Sequence, residues 1–233
     1  MKNFLSRLSD FVFPNFECIS CSGEIFATQI PHVCNDCAGK MRVAVPGIIN
    51  ADVAIPKGDK VYIGRAMIAY QYGPVVKTII MRLKYSNDGL AAVAVGGGMR
   101  DILLRARGEN AKNAVYDMLI PVPLSKNRAK QRGYNQAELL AREIISVAGD
   151  GAVISSNIVN RVKNTVPQVD MTVEQRRKNQ SGAFEVVDKS MVRGKAILIV
   201  DDVMTSGATV NEMAKILKRA GAIFVDAIVA ARI

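Results

Sequence analysis

The chain has 233 residues, 49% of them hydrophobic and 22% charged, which is enough for one substantial domain with a small module attached. That balance excludes wholesale disorder, and 18 glycines and 8 prolines are too few for a collagen-like or low-complexity fibre. The formal net charge is +10. Residues 1–60 and 196–233 are each balanced, so the whole surplus lies in 61–195. A surplus of that kind suits a solvated basic face or a polyanionic partner, either a phosphorylated small molecule or a nucleic acid.

In chain order, Phe4, Leu5, Leu8, Phe11 and Val12 recur at helical spacing and predict a short amphipathic helix. The uninterrupted apolar stretch and small-residue cleavage site of a secretory signal are missing, so the protein is expected in the cytoplasm. Apolar stretches such as 196–200 and 224–233 fall far short of the roughly 20 residues of a membrane span, and no span is expected.

All four cysteines fall within 18–37, as Cys18-Ile-Ser-Cys21 and Cys34-Asn-Asp-Cys37. Two such knuckles bring four thiolates onto one tetrahedral centre, the arrangement of a closed structural zinc site. Gly23 and Gly39 are the residues expected to form the tight turns. Two disulfides or a redox pair are the competing assignments. The missing secretion signal disfavours the first, and the missing thioredoxin-like context the second. His32 is the only histidine, with a turn or surface role or a ligand role open to it.

Residues 50–60 read as a linker, which divides the chain into 1–57, an amphipathic helix with a four-Cys zinc-binding module, and 58–233. Beyond the linker, strands are predicted at 66–72, 116–122, 152–156, 196–200 and 223–230. Helices are predicted at 75–84, 90–105, 136–147, 172–180 and 208–220. The alternation predicts an α/β fold with a mainly parallel sheet. Ligands of such sheets sit beyond the carboxyl ends of the strands. The loops that follow strands are therefore the ones to search.

The richest of them is Ile197-Leu-Ile-Val-Asp201-Asp202-Val-Met-Thr205-Ser206-Gly207-Ala208-Thr209. A buried strand ends in two carboxylates, and a loop of hydroxyls and glycine leads into a helix. Free N–H groups and the hydroxyls of Thr205, Ser206 and Thr209 make an anion cradle there. Beside it, the carboxylates can accept from a diol. That pairing fits a ribose 5-phosphate. A second loop, from Pro121 to Ala137, carries Lys126, Arg128, Lys130 and Arg132 with no acid among them. It reads as an anion site or as a solvated basic loop.

The stretch 197–209 resembles the signature of the type I phosphoribosyltransferases, which bind phosphoribosyl pyrophosphate (PRPP). With the four-Cys module and the stretches 72–85, 121–143 and 161–184, nearly the whole chain resembles the ComF family of competence-associated phosphoribosyltransferase-like proteins. The resemblance implies a parallel-sheet type I phosphoribosyltransferase fold with a small N-terminal zinc module. It assigns catalytic roles to Asp201 and Asp202, which hold the ribose hydroxyls. Thr205, Ser206, Gly207, Ala208 and Thr209 would wrap the 5′-phosphate. Leu124, Ser125, Lys126, Arg128 and Arg132 would take the pyrophosphate, and Lys163 and Gln168 would belong to a mobile loop. Lys84 stands at a family-matched position and reads equally as a surface lysine.

The chemistry so implied is displacement of pyrophosphate at the anomeric carbon, with Mg²⁺ held mainly by PRPP oxygens. Thr205 occupies the place of the acidic base in 6-oxopurine salvage enzymes, so that activity is not expected. Glutamine-dependent amide transfer is not expected either, because no Cys follows the initiating Met. The alternative is a non-catalytic competence factor that binds single-stranded DNA or a nucleotide. DNA, DNA-uptake proteins and a second copy of the chain are the expected partners. Low aromatic content (6%, no Trp) speaks against a stacking platform for single strands.

Overall fold

The computed structural model describes residues 17–25, 28, 30–45, 47–50, 54–55, 60–86, 88–109, 116–163 and 181–233. Six strands form one sheet: β1 (Ile48–Asn50), β2 (Arg65–Gln71), β3 (Met118–Pro121), β4 (Val153–Ile154), β7 (Ala196–Met204) and β8 (Phe224–Arg232). Their order is β1-β2-β8-β7-β3-β4, parallel throughout except for β1 at one edge. A separate antiparallel hairpin pairs β5 (Val159–Arg161) with β6 (Phe184–Val186). The helices are α1 (Asn35–Lys40), α2 (Pro74–Tyr85), α3 (Gly89–Glu109), α4 (Lys126–Arg132), α5 (Gln136–Ile144) and α6 (Ala208–Arg219).

The central strands β7 and β8 read as nearly unbroken apolar runs because the sheet is covered on both faces. Side chains alternate between two layers. Leu198 and Val200 face α2, α3 and α5, where Ile79, Ile80, Leu83, Met99 and Leu140 are buried. Ile197 and Ile199 face α6 and the hairpin, among Met213, Leu217, Val159 and Phe184. Cys18, Ile19, Val33, Cys37 and Met41 join the first layer, so the four-Cys module shares a core with α2 and α3.

All five expected strands and four of the expected helices are present. Two differences matter for the site. The strand expected at 196–200 runs on to Met204, so Asp201 and Asp202 are strand residues. The basic stretch expected as a loop is α4, started by Ser125 and stopped by Gly133 in the left-handed conformation (φ 74°). The expected linker is not wholly free either. Asn50 ends β1, and Ala54 and Ile55 are buried. The N-terminal amphipathic helix, the helix at 172–180 and the division at 57/58 lie outside the described residues. Among the described residues no helix is long and apolar enough to cross a membrane.

At the opposite end of the sheet from the candidate site, Asp226 is buried and fully engaged. Its Oδ2 accepts from the Tyr116 hydroxyl at 2.8 Å and from Arg65 Nε at 3.0 Å, while Oδ1 accepts from the Arg65 backbone N–H at 2.9 Å. Gly64 makes room for it, since a Cβ there would lie 2.7 Å from Oδ1. Asp226→Ala would leave Arg65 with an uncompensated charge. A loss of about 3–5 kcal/mol is expected in urea denaturation, with ligand affinity unchanged in the folded fraction.

Candidate active site

The chain leaves β3 toward α5 in one layer and leaves the adjacent β7 toward α6 in the other. The two connections therefore part beyond the carboxyl ends of these strands, and open α/β sheets bind ligands in the crevice at such a point. Asp201 and Asp202 stand at its floor. Asp202 is buried; its Oδ1 accepts from the Val203 N–H at 2.7 Å, and its Oδ2 lies 3.0 Å from the Lys84 ammonium. Asp201 Oδ1 accepts from the Asp202 N–H at 2.9 Å. Burial first, and then the neighbouring Asp202, push the Asp201 carboxyl up to about 8. Burial opposes the charge on Lys84, but Asp202 outweighs it and raises the ammonium above its ordinary value. Asp201 therefore keeps its proton to higher pH than an ordinary carboxyl, beside an ammonium that holds its charge. Lys84 is thus paired with Asp202 and largely covered, not a freely solvated surface lysine.

The turn between β7 and α6 has the features of an anion cradle. The N-cap of α6 is Gly207, at φ 71°, and no side chain caps the helix, so its first N–H groups are uncommitted to side chains. The Ser206 hydroxyl is buried without a hydrogen-bond partner among the described residues. A buried orphan hydroxyl beside an uncapped helix start calls for an acceptor. Thr205, Ala208 and Thr209 border the same turn and are half-buried. Gly207→Ala would place a methyl 2.7 Å from Ile55 Cδ1 and 3.1 Å from the Ala54 carbonyl oxygen, in a left-handed conformation. The expected loss is roughly 1–3 kcal/mol, read as a lowered urea midpoint at unchanged m-value.

Beyond β3, Ser125 is buried and caps α4 through a weak contact from the Arg128 N–H at 3.5 Å. Leu124, just before it, is half-buried. The helical spacing separates the basic residues. Arg128 and Arg132, four apart, are half-buried, while Lys126 and Lys130 are exposed. Arg132 donates to Gln136 Oε1 at 2.9 Å, lies over the Tyr85 ring at 5.0 Å and feels the charge of Lys84. The Asn135 side chain caps α5 and donates to the Val122 carbonyl at 3.1 Å, and the Tyr134 hydroxyl donates to the Leu83 carbonyl at 2.7 Å. Together these bonds fasten α2, and with it Lys84, to the turn after β3.

Arg161, on β5, lies over the Phe184 ring at 5.1 Å and within the fields of Arg128 and Asp201. Sequence reasoning passed over it as the start of a loop. Lys163 donates to the Ser181 carbonyl at 2.7 Å, and the Gly182 N–H donates to Glu212 on α6 at 2.8 Å. Lys163 therefore sits where the chain at 163 and the chain at 181 are clasped together. Gln168 lies outside the described residues.

The four cysteine Sγ atoms all lie within 4.8 Å of one another, with Cys21 and Cys34 at 3.7 Å. Four sulfurs at about 2.3 Å around a tetrahedral ion would stand about 3.8 Å apart, so the set fits a metal such as zinc. A disulfide needs about 2.05 Å, and all four thiols are free. Burial opposes ionisation of Cys18, yet backbone N–H groups of Cys34, Cys21 and Ser20 bring it down to about 6. Burial, then contact with the other thiols, pushes Cys37 up to about 12. A divalent cation is the natural partner of such crowded thiols. The left-handed turn residues are Ser22 (φ 59°) and His32 (φ 61°), not Gly23 and Gly39; Gly39 lies inside α1. His32 thus serves a turn.

The phosphoribosyl transferase domain family matches residues 127–232. Competence protein F of Haemophilus influenzae is 30% identical over 227 residues, covering 90% of this chain and 93% of that protein. DNA utilization protein YhgH of Salmonella typhimurium is 30% identical over 158 residues, covering 68% and 67%. Among solved structures the chain is similar to the allosteric regulatory enzyme of purine biosynthesis, at 19% identity and a TM-score of 0.35, over 64% of this chain and 30% of that one. With its parallel sheet, its phosphoribosyltransferase-type domain and its four-Cys cluster, the chain belongs to the ComF family.

Proposed function

We propose that the crevice binds PRPP and transfers its phosphoribosyl group to an acceptor with release of pyrophosphate. One observation carries this: a carboxyl pair standing beside an uncapped helix start with a buried, partnerless Ser206 hydroxyl. The cradle takes the 5′-phosphate, and Asp201 and Asp202 take the diol. Lys84, Arg128 and Arg132 then lie on the side of the leaving diphosphate. Carbon 1 gains the bond to the acceptor as its bond to the diphosphate oxygen breaks, and the electron pair leaves with pyrophosphate. As positive charge grows on the ribosyl ring, the carboxyl oxygens of Asp201 and Asp202 stabilise it electrostatically. Mg²⁺, held mainly by PRPP oxygens, would neutralise the leaving group. In the four-Cys module a zinc ion would be structural, because four thiolates leave no open position.

The test is pyrophosphate release from Mg²⁺–PRPP across a panel of nucleobases and amines. Release should occur with at least one acceptor and fall by at least about a hundredfold in Asp201→Asn. A folded wild type that never releases pyrophosphate above the uncatalysed rate would count against catalysis.

A second reading rests on Lys126 and Lys130, which present two exposed charges on the outer side of α4. That face suits a nucleic-acid backbone, in keeping with relatives named for competence and DNA utilization. Binding of single-stranded DNA that weakens steeply with salt and survives Asp201→Asn would favour it.

A further inference from the structure

The phosphate cradle does not stand on α6 alone. Gly207 and Asn211, four residues apart, stack on one side of its first turn, and the Asn211 N–H closes on the Gly207 carbonyl at 3.0 Å. Both touch residues that precede β2. Ala54 and Ile55 are 2% and 4% exposed, and they occupy the space where a Cβ on Gly207 would fall. The Asn211 side chain makes two bonds in opposite senses. Its Oδ1 accepts from the Tyr62 N–H at 2.9 Å, and its Nδ2 donates to the Lys60 carbonyl at 2.9 Å. An amide side chain carries both a donor and an acceptor at its tip, so it can pair with a carbonyl and an N–H of the same backbone stretch. Every one of these contacting residues before β2 lies outside 127–232, the part matched by the phosphoribosyl transferase domain.

We infer that Asn211 is a positioning residue for the 5′-phosphate: it clasps Lys60–Tyr62 to α6, and with Ala54–Ile55 this holds the Gly207 turn in its anion-binding shape. The inference rests on the proposed PRPP reading. An αL N-cap that must present backbone N–H groups to an anion has other conformations available to glycine, and the contacts of Gly207 and Asn211 remove them. Removing them before the ligand arrives lowers the ordering cost of binding. The diphosphate side, built from α4 and Lys84, makes no part of this clasp.

The experiment is calorimetric titration of the full, metal-loaded chain with two probes, ribose 5-phosphate and inorganic pyrophosphate with Mg²⁺. In Asn211→Ala, ribose 5-phosphate should bind about tenfold more weakly and pyrophosphate within about twofold of wild type. Asn211→Asp keeps the acceptor for the Tyr62 N–H but loses the donor to Lys60, so it should fall between. Ile55→Ala should reproduce the selective loss without touching either bond. Unchanged ribose 5-phosphate affinity in Asn211→Ala and Ile55→Ala overturns the clasp and leaves the proposed function standing. Equal losses for both probes assign Asn211 a merely structural role and overturn it too. A wild type that binds neither probe overturns the proposed function itself, and the clasp with it.

Discussion

Chelating the metal from the four-Cys module is expected to lower the melting temperature by roughly 10 °C or more and to expose residues 17–41 to protease. The module holds little core of its own, so metal binding contributes directly to its folding. Four thiols within 4.8 Å become a crowded site without a cation, and burial with the neighbouring thiols pushes Cys37 up to about 12. The damage should spread. Cys18, Ile19, Val33, Cys37 and Met41 belong to the layer that also buries α2 and α3. Losing about 3–5 kcal/mol of that shared burial corresponds to the predicted shift for a chain of this length. Differential scanning fluorimetry with limited proteolysis, on metal-loaded and chelated protein, reads both effects. One metal ion per chain by elemental analysis is the companion result. An unchanged melt after complete chelation would remove the structural role.

The second large effect is a pair of substitutions with opposite signs. Asp201→Asn should stabilise the fold at pH 8 while abolishing ligand binding. Asp202→Asn should destabilise it. The reason is linkage. The folded-state value of Asp201 is raised to about 8 from an ordinary 3.8, so the folded protein holds a proton that the unfolded chain has released. Stability from this group is full below about pH 4 and is lost as pH rises through about 8. Asparagine does not titrate and avoids that loss. A gain of roughly 1–3 kcal/mol is expected at pH 8, shrinking to near zero by pH 4. Asp202, by contrast, is engaged by Lys84 at 3.0 Å, and its loss strands a largely buried ammonium. About 1–3 kcal/mol should go with it. Urea denaturation of the three proteins at pH 4, 6 and 8 checks the signs. If Asp201→Asn loses stability at pH 8, the carboxyl is not the strained member of the pair.

Much of this was legible in the sequence for identifiable reasons. The strands around 197 and 228 are nearly unbroken apolar runs, as strands of a sheet covered on both faces are. The candidate anion cradle was readable because hydroxyls, glycine and carboxylates crowd one turn within thirteen residues. What escaped was chiefly tertiary. Lys84 is indistinguishable from a surface lysine until α2 is docked and its ammonium meets Asp202. Arg161 sits in a three-residue strand whose partner, Phe184, lies 23 residues on, beyond the reach of local periodicity. Asn211 pairs with residues 149 and 151 positions earlier. The helix α4 was hidden in a different way. Its composition, Lys-Asn-Arg-Ala-Lys-Gln-Arg, reads as basic loop, yet Ser125 and Gly133 bracket it with a start and a stop signal. That bracket also sorts Arg128 and Arg132 from Lys126 and Lys130. The knuckle turns failed for a local reason, since Ser22 and His32 took the left-handed conformations assigned to glycine.

The most direct test is calorimetric titration of the metal-loaded protein with PRPP and Mg²⁺, beside the Asp201→Asn/Asp202→Asn double variant. The expected result is one saturable site per chain in the wild type and none in the folded double variant. Equal binding to both proteins, or none to a folded wild type, would contradict a PRPP site at the end of β7.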